Sequence, residues 1–351
     1  MSTRPKSLLS GNEAAGEAAV NAGCRFYAGY PITPQNQLTE YMSRRLPESG
    51  GVFIQAESEV AAINMVFGAA SAGCRAMTSS SSPGISLKQE GISYLAGCEL
   101  PAVIINMSRA GPGLGDVTPS QGDYFQSTRG GGHGDYRTLT FGPQNLQELY
   151  DLTYQAFDLA DKYRNPVLIL ADGILAQVME PVALKPFQKN LPVKPWALTG
   201  CVKRPPQKIL SLFLKHGGTE KHNWHLAEKY HRMERAEQRW EDFRTEDARV
   251  IISAFGTSAR ISKAAVLAGR EEGLPLGLFR PISLWPFPYQ ALRRLAESRK
   301  RKFLVVEMNL GQMVEDVRLA IEGRCPVSFY GRPGGGVPTP EEILKVARKL
   351  L

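Results

Sequence analysis

The run Val52-Phe53-Ile54-Gln55-Ala56-Glu57-Ser58-Glu59-Val60-Ala61-Ala62-Ile63-Asn64-Met65-Val66-Phe67-Gly68 decides how the chain is read. Val52, Phe53 and Ile54 have the apolar density of a short buried strand, and the alanine-rich stretch from Val60 to Ala72 reads as a helix with few bulky side chains. Glu57 and Glu59 therefore fall at a strand-to-helix turn. An anionic side chain there interacts favourably with the helix N-terminus, so a capping role is one reading and chemistry is the other.

Outward from this stretch the same unit recurs. Strand candidates are Cys24 to Ala28, Val52 to Gln55, Arg75 to Thr78, Ala102 to Met107, Thr138 to Phe141 and Val167 to Leu170, with helical patterns between most of them. The alternation predicts an α/β fold with a doubly wound, mainly parallel sheet. Ligands of such sheets gather at the carboxyl ends of the strands. Three loops at those ends stand out: Gly29-Tyr30-Pro31-Ile32-Thr33-Pro34, the segment Ser79 to Gly84, and a glycine-rich segment from Ser108 to Asp135. A loop that long inside a compact domain is functional or disordered. Its Arg109, Gly111, Gly113, Gly115, Asp116 and His133 suit a lid over a polar ligand, with a surface excursion as the alternative.

Prolines at 181, 186, 192, 195, 205 and 206 are spaced too densely for regular structure and predict a connector. Lys221 to Arg244 reads as a charged helix with a narrow apolar stripe of Leu226, Tyr230, Met233 and Trp240. His216, His222, His225 and His231 cluster in or beside it, but His231 points away from the others, so a solvated face is the better reading than a metal site. From Arg249 the alternation resumes, and Thr339-Pro340-Glu341-Glu342 has the form of a capping box opening a last helix. The expected organisation is residues 1–180, a linker with a charged helix over 181–248, and a smaller α/β domain over 249–351.

Composition narrows the function classes. The 351 residues are 43% hydrophobic, ample for sizeable cores. Five scattered cysteines without a Cys-x-x-Cys pair argue for a reducing compartment and exclude a standard iron–sulfur or structural zinc motif held by this chain alone. No stretch approaches a membrane span and Met1 to Ser10 has no long signal core, so a cytoplasmic protein away from membranes is expected. The formal charge of +8 is interspersed with acidic residues and lacks an aromatic-basic recognition motif, which argues against nucleic acid. There is no nucleotide P-loop, no correctly placed Gly-x-Gly-x-x-Gly and no Gly-x-Ser-x-Gly elbow.

The loop from Gly29 to Pro34, Glu59 nine residues before Gly68, and Asn106-Met107-Ser108-Arg109 together resemble the alpha subunits of the 2-oxoacid:ferredoxin oxidoreductases. The resemblance extends over Ser79 to Gly91, Lys162 to Pro166, Leu284 to Pro288 and Glu307 to Met313, and is closest to the subunits associated with branched-chain 2-oxoisovalerate. It implies a pyrimidine-binding domain of the thiamine enzyme type, followed by a domain like the transketolase C-terminal domain. By the same resemblance Glu59, with Glu57 as fallback, hydrogen-bonds the aminopyrimidine of thiamine diphosphate and so promotes loss of the thiazolium C2 proton. Pro31, Ile32 and Thr33 belong to the cofactor site, and Thr33 and Arg109 hold the substrate carboxylate. Arginine suits that role through two parallel charge-assisted bonds, whereas Thr33 before a proline also fits a plain helix N-cap.

The chain has no Gly-Asp-Gly for the diphosphate and Mg²⁺, so the resemblance implies a beta subunit carrying that half-site. Iron–sulfur clusters are likewise expected in partners: a gamma subunit, a ferredoxin-like delta subunit or both, with ferredoxin as electron acceptor and coenzyme A as co-substrate. No metal ligands are expected in this chain. Pyruvate or 2-oxoglutarate as substrate, and a non-catalytic assembly protein of the same fold, stay open as alternatives.

Overall fold

A computed structural model describes residues 6–298 and 300–351. The chain begins with β1 (Lys6–Ser10) and α1 (Gly11–Asn21), whose capping box pairs the Ser10 hydroxyl with the Glu13 amide and the Glu13 carboxylate with the Ser10 amide. Then come β2 (Phe26–Gly29), α2 (Asn36–Glu48), β3 (Val52–Gln55), α3 (Glu59–Ser71), β4 (Ala76–Ser80), α4 (Ser82–Gly97) and β5 (Ala102–Ser108). The run continues with α5 (Tyr124–Arg129), β6 (Leu139–Phe141), α6 (Leu146–Tyr163), β7 (Pro166–Asp172), α7 (Gly173–Gln177) and β8 (Met179–Ala183). Every expected strand is present within a few residues of its predicted bounds.

After residues 184–217, which carry no helix or strand, follow α8 (Gly218–Ala236), β9 (Trp240–Phe243), β10 (Val250–Ser253), α9 (Gly256–Glu271), β11 (Leu276–Pro281) and β12 (Ser283–Trp285). The chain closes with α10 (Tyr289–Leu295), β13 (Lys302–Glu307), α11 (Met313–Ile321), β14 (Val327–Gly331) and α12 (Pro340–Arg348), the last opened by the predicted Thr339–Glu342 capping box.

One sheet has the order β12-β6-β7-β5-β4-β2-β3 and is parallel throughout except for β12. Its centre, β5 beside β7, is wholly buried, which is why those strands are nearly continuous apolar runs. A second sheet has the order β14-β13-β10-β11-β9, and β1 pairs with β8 in a separate antiparallel ribbon.

Three expectations are corrected. The charged helix stops at Ala236, where Gln238 Nε2 donates to the Glu234 carbonyl (2.9 Å), and Trp240 lies on β9, antiparallel to β11, instead of on the apolar stripe of Leu226, Tyr230 and Met233. Pro181 is inside a strand after all, opposite Leu8 in the two-stranded ribbon, where a missing N–H costs little at an edge. Finally, the later half of the chain is not self-contained: β12 leaves it and pairs with β6 of the first sheet. Arg280, buried, clamps the join by donating to Glu148 (2.8 and 2.9 Å) and Glu241 (2.9 Å).

Candidate active site

The carboxyl ends of β2, β4 and β5 carry the loops singled out by the sequence. β2 ends at Gly29, where glycine is required because a Cβ would lie 2.4 Å from the Tyr27 hydroxyl. That hydroxyl contacts Ser79 (2.7 Å) and Thr39 (3.1 Å), and Ser79 in turn donates to Gln35 (2.6 Å). Gln35 Nε2 reaches back to the Tyr30 carbonyl (3.1 Å), and Asn12 holds the Pro34 carbonyl (2.9 Å), so the loop holding Pro31, Ile32 and Thr33 is fixed from beneath. Thr33 is not the helix cap: α2 begins at Asn36 with Gln35 before it, and Thr33 Oγ1 accepts only a long bond from Asn36 (3.4 Å).

Glu59 is the first residue of α3, whose cap is the Ser58 hydroxyl accepting from the Ala61 amide (3.2 Å). Glu57 is exposed, whereas Glu59 is only 6% exposed, so the two carboxylates are separated by environment. No described residue donates a hydrogen bond to the Glu59 carboxylate. Around it are further polar atoms without partners: the buried hydroxyl of Ser80, whose Oγ would meet the same Cβ at Gly84 (2.1 Å) that Glu59 Oε1 would meet (2.5 Å), and that of the next residue, Ser81. Glycine at 84 is what keeps the space beside the carboxylate open.

Arg109, at the end of β5, is buried and donates from Nη1 to the Thr33 carbonyl and from Nη2 to the Leu114 carbonyl (both 3.0 Å). The structure thus joins Thr33 and Arg109. Each terminal nitrogen of the guanidinium retains a second N–H. Next to it, Asp123 Oδ2 accepts from Ser82 (2.6 Å) and Asn106 (2.8 Å), and the Arg109 amide donates to Ser82 Oγ (2.9 Å). Ser82, Arg109 and Asp123 border a cavity of about 430 Å³, walled on its far side by Asn309, Leu310, Gln312, Pro333 and Gly334.

The glycine-rich segment is a strap more than a free lid. Residues Gly111 to Asp116 are exposed, but Gln121 is inserted between the two sheets: its amide donates to the Met308 carbonyl (3.0 Å), its Nε2 to the Phe255 carbonyl (2.8 Å), and its Oε1 accepts from Ser258 (2.7 Å) and the Met308 amide (3.0 Å). Tyr124 and Arg129 on α5 then bond Asp316 on α11. His133 faces a different cavity, lined with Ser93, Tyr94 and His222. The neighbouring histidines are engaged locally, His222 with the Gly97 carbonyl (2.7 Å) and His225 with Glu99.

Sequence reading missed Asp123, Gln121 and Lys88. The last had a signal: a cation between Gly84 and Gly91, at the four- and three-residue steps that put all three on one helix face. A larger cavity, about 660 Å³ and rich in Lys and Arg side chains, opens at the opposite, amino edge of the sheet by Glu99 and Arg164, away from Glu59 and Arg109.

Residues 17–242 match the family model described as pyruvate flavodoxin/ferredoxin oxidoreductase, thiamine diphosphate-binding, and residues 248–343 match that of the pyruvate:ferredoxin oxidoreductase core domain II. The chain belongs to the 2-oxoacid:ferredoxin oxidoreductase alpha-subunit family. Within it, the ketoisovalerate oxidoreductase subunit VorB of Methanothermobacter thermautotrophicus is 47% identical over 98% of this chain and 97% of its own. The 2-oxoglutarate synthase subunit KorA of the same organism is 37% identical over 98% of both chains. A solved 2-oxoglutarate:ferredoxin oxidoreductase from Magnetococcus marinus, with 2-oxoglutarate, coenzyme A and succinyl-CoA bound, superposes with a TM-score of 0.86 at 25% identity, covering 99% of this chain and 65% of that one.

The first sheet is therefore the family's thiamine diphosphate-binding domain. Its residues fit that group on their own geometry: Glu59 offers a buried acceptor with no partner, and Gly84 leaves room beside it. The unpaired Ser80 and Ser81 hydroxyls supply further polar edge. Among the described residues, no helix is long and apolar enough to cross a membrane.

Proposed function

We propose that this chain is the alpha subunit of a heteromeric enzyme that oxidatively decarboxylates a branched-chain 2-oxoacid, 2-oxoisovalerate, to its acyl-coenzyme A with electrons passed to ferredoxin. The observation that carries the reading is the pairing of a buried, unpartnered Glu59 with an Arg109–Thr33 clasp at the same sheet edge. Thiamine diphosphate, when bound, supplies the carbon nucleophile that attacks the 2-oxo carbon. Glu59 holds the aminopyrimidine through its ring nitrogen and exchanges a proton with that atom. Arg109 binds the substrate carboxylate through its remaining N–H groups, in a pocket whose burial strengthens the charge-assisted bonds.

The cavity favours a monocarboxylate. Arg109 is its sole cation among the described lining residues and Asp123 its sole acid, while Pro83, Pro112, Leu310 and Pro333 supply apolar wall. A second carboxylate, as in 2-oxoglutarate, would find no cation there and would face Asp123. The same reading gives Mg²⁺ and the diphosphate half-site to a beta subunit, and iron–sulfur clusters to gamma or delta subunits. Five scattered cysteines, three of them buried, support a reducing, cytoplasmic setting.

The test is reconstitution with the beta and cluster-bearing subunits, followed by ferredoxin reduction with 2-oxoisovalerate, pyruvate and 2-oxoglutarate at equal coenzyme A. The highest kcat/KM is expected for 2-oxoisovalerate. A preference for 2-oxoglutarate would overturn the substrate assignment, and no turnover with any 2-oxoacid would leave an assembly role.

A further inference from the structure

Helices α3 and α4 lie in close contact because α4 presents glycine twice to its neighbour. A Cβ at Gly84 would lie 2.5 Å from Glu59 Oε1, and one at Gly91 would lie 2.6 Å from the Ile63 side chain. Between these two glycines on the same face is Lys88, wholly buried, with no hydrogen-bond partner for its Nζ. Long cationic side chains are almost never fully buried unless paired. Burial pulls this ammonium down to about 8 against the opposing influence of Glu59.

Among the described residues, Glu59 is the charged group that offsets the burial of Lys88. On the elements packed around it the remaining candidates are occupied elsewhere. Asp172, at the end of β7, caps α7 by accepting from the Ile174 and Leu175 amides. Asp123 is held by Ser82 and Asn106, Arg109 by two carbonyls, and Glu90 is taken by Tyr94. Lys88 and Glu59 form no direct ion pair, so each charge is left unneutralised by contact while feeling the other across the close helix–helix packing that Gly84 and Gly91 allow. In such packing an opposite charge shifts a carboxyl strongly toward its ionised form.

We propose that Lys88 is a positioning residue for the proton chemistry of Glu59: its buried ammonium biases Glu59 toward carboxylate, so that the proton shared with the aminopyrimidine resides on the ring nitrogen and not on the side chain. The inference rests on the reading of Glu59 given above. The step is a proton transfer only. The O–H bond of Glu59 breaks, the ring N–H bond forms, and the carboxylate left behind is stabilised across the interface by Lys88. Without that ammonium the cost of burying the carboxylate would be opposed by no cation among the described residues. A bare buried cation is otherwise a pure liability to the fold, and charged groups held in perturbed states cluster at sites of chemistry.

The experiment uses the reconstituted complex with Lys88→Met, Lys88→Arg and Glu59→Gln. Isotope-edited infrared spectroscopy of ¹³C-labelled glutamate, with Glu59→Gln as the reference, reads the Glu59 titration without cofactor. Hydrogen–deuterium exchange at thiamine C2 across pH reads the consequence with cofactor. Lys88→Met is expected to raise the Glu59 midpoint by about one unit or more and to move the acid limb of the exchange profile by the same amount. Exchange below that limb should fall about tenfold for each unit, with cofactor affinity unchanged and Lys88→Arg restoring most of the effect. An unmoved Glu59 midpoint in Lys88→Met would overturn the proposal. Should Lys88→Met fail to assemble, the reciprocal measurement decides: ¹⁵N-lysine NMR should show the Lys88 midpoint falling in Glu59→Gln, and no change there would equally overturn it. Fast C2 exchange in Glu59→Gln would instead remove the role of Glu59, while the cofactor-free titration would still test the coupling to Lys88.

Discussion

Replacing Lys88 by Met should make the folded chain more stable at neutral pH, which is the opposite of what removing a buried side chain normally does. Methionine matches the length of the aliphatic stem and needs no partner. Burial pulls Lys88 from 10.5 to about 8, a gap of about 2.5 pH units (10.5 − 8). At about 1.36 kcal/mol each this is about 3 kcal/mol. The sign follows from proton counting. Between pH 8 and 10.5 the unfolded chain holds the Lys88 proton and the native chain does not, so stability rises with pH across that window. Below pH 8 the full penalty is present. Lys88→Met should therefore gain up to about 3 kcal/mol at pH 7, and the gain should vanish by about pH 10.5. Lys229, also pulled down to about 8 by burial, gives the wild type a second pH-dependent contribution. It cancels in the difference between the two proteins. Urea denaturation of both at pH 7, 8.5 and 10 provides the measurement. A variant less stable than wild type at pH 7, or a difference that does not change with pH, would show that the ammonium is compensated in the native state and refute the reasoning.

Glu59→Gln should lower turnover of the reconstituted complex by about 10² to 10⁴-fold with thiamine diphosphate still bound, whereas exposed Glu57→Gln should cost no more than a helix-dipole contribution of roughly 0.3 to 1 kcal/mol; equal effects would reverse the assignment. Arg109→Lys should raise KM for the 2-oxoacid by the equivalent of about 1 to 3 kcal/mol with cofactor affinity kept, read from initial rates. Gly84→Ala should displace the Glu59 carboxylate or the Ser80 hydroxyl and remove most activity while near-ultraviolet dichroism stays native; wild-type turnover would mean that neither group is fixed where the site needs it. Arg280→Ala should destabilise the chain by about 3 kcal/mol in urea denaturation, since it takes from Glu148 its cation and leaves Glu241 with Lys263 alone where β11 meets the first sheet.

The parts legible in the sequence were those encoded locally. The strand-to-helix turn at Glu59, the parallel core strands and the Thr339 capping box each depend on residues a few positions apart, so periodicity and end signals reveal them. What escaped was encoded at long range. Ser283 to Trp285 is three residues long and becomes a strand only because the chain passes the free edge of β6, a fact no local pattern carries. Trp240 to Phe243 kept the charge density of the helix before it, and its strand character comes from pairing with β11. Gln121 lay in a glycine-rich stretch with the composition of a lid, yet five hydrogen bonds to the second sheet region fix it as a strut. Within the site, Glu59, Thr33 and Arg109 came from resemblance, whereas Lys88 shows itself as special only once Gly84 and Gly91 are seen to seal it against α3.

The long-range contacts also explain why a domain with few reactive side chains belongs in this chain. Glu307, buried at the end of β13, is raised in pKa by its desolvation, yet accepts from the Met313 and Val314 amides (2.9 and 3.0 Å) and from the Asn309 amide group (2.9 Å). A carboxyl in that position fixes the first turn of α11 and, with it, the bend from Asn309 to Gln312. That bend is the outer wall of the Arg109 cavity, and Asn309 donates to the Gln121 carbonyl (2.9 Å) while Gln312 takes the Phe125 amide (2.7 Å). The strap so anchored begins at Arg109 and contains Asp123. The position of Arg109 is consequently set from both sides: by Thr33 on the first sheet, and through Gln121 by a helix start on the second. A pocket built this way keeps Glu59 on one rigid element and the Arg109–Thr33 contact between two, so that contact can be tuned by changes in the second domain that leave Glu59 and its helix untouched.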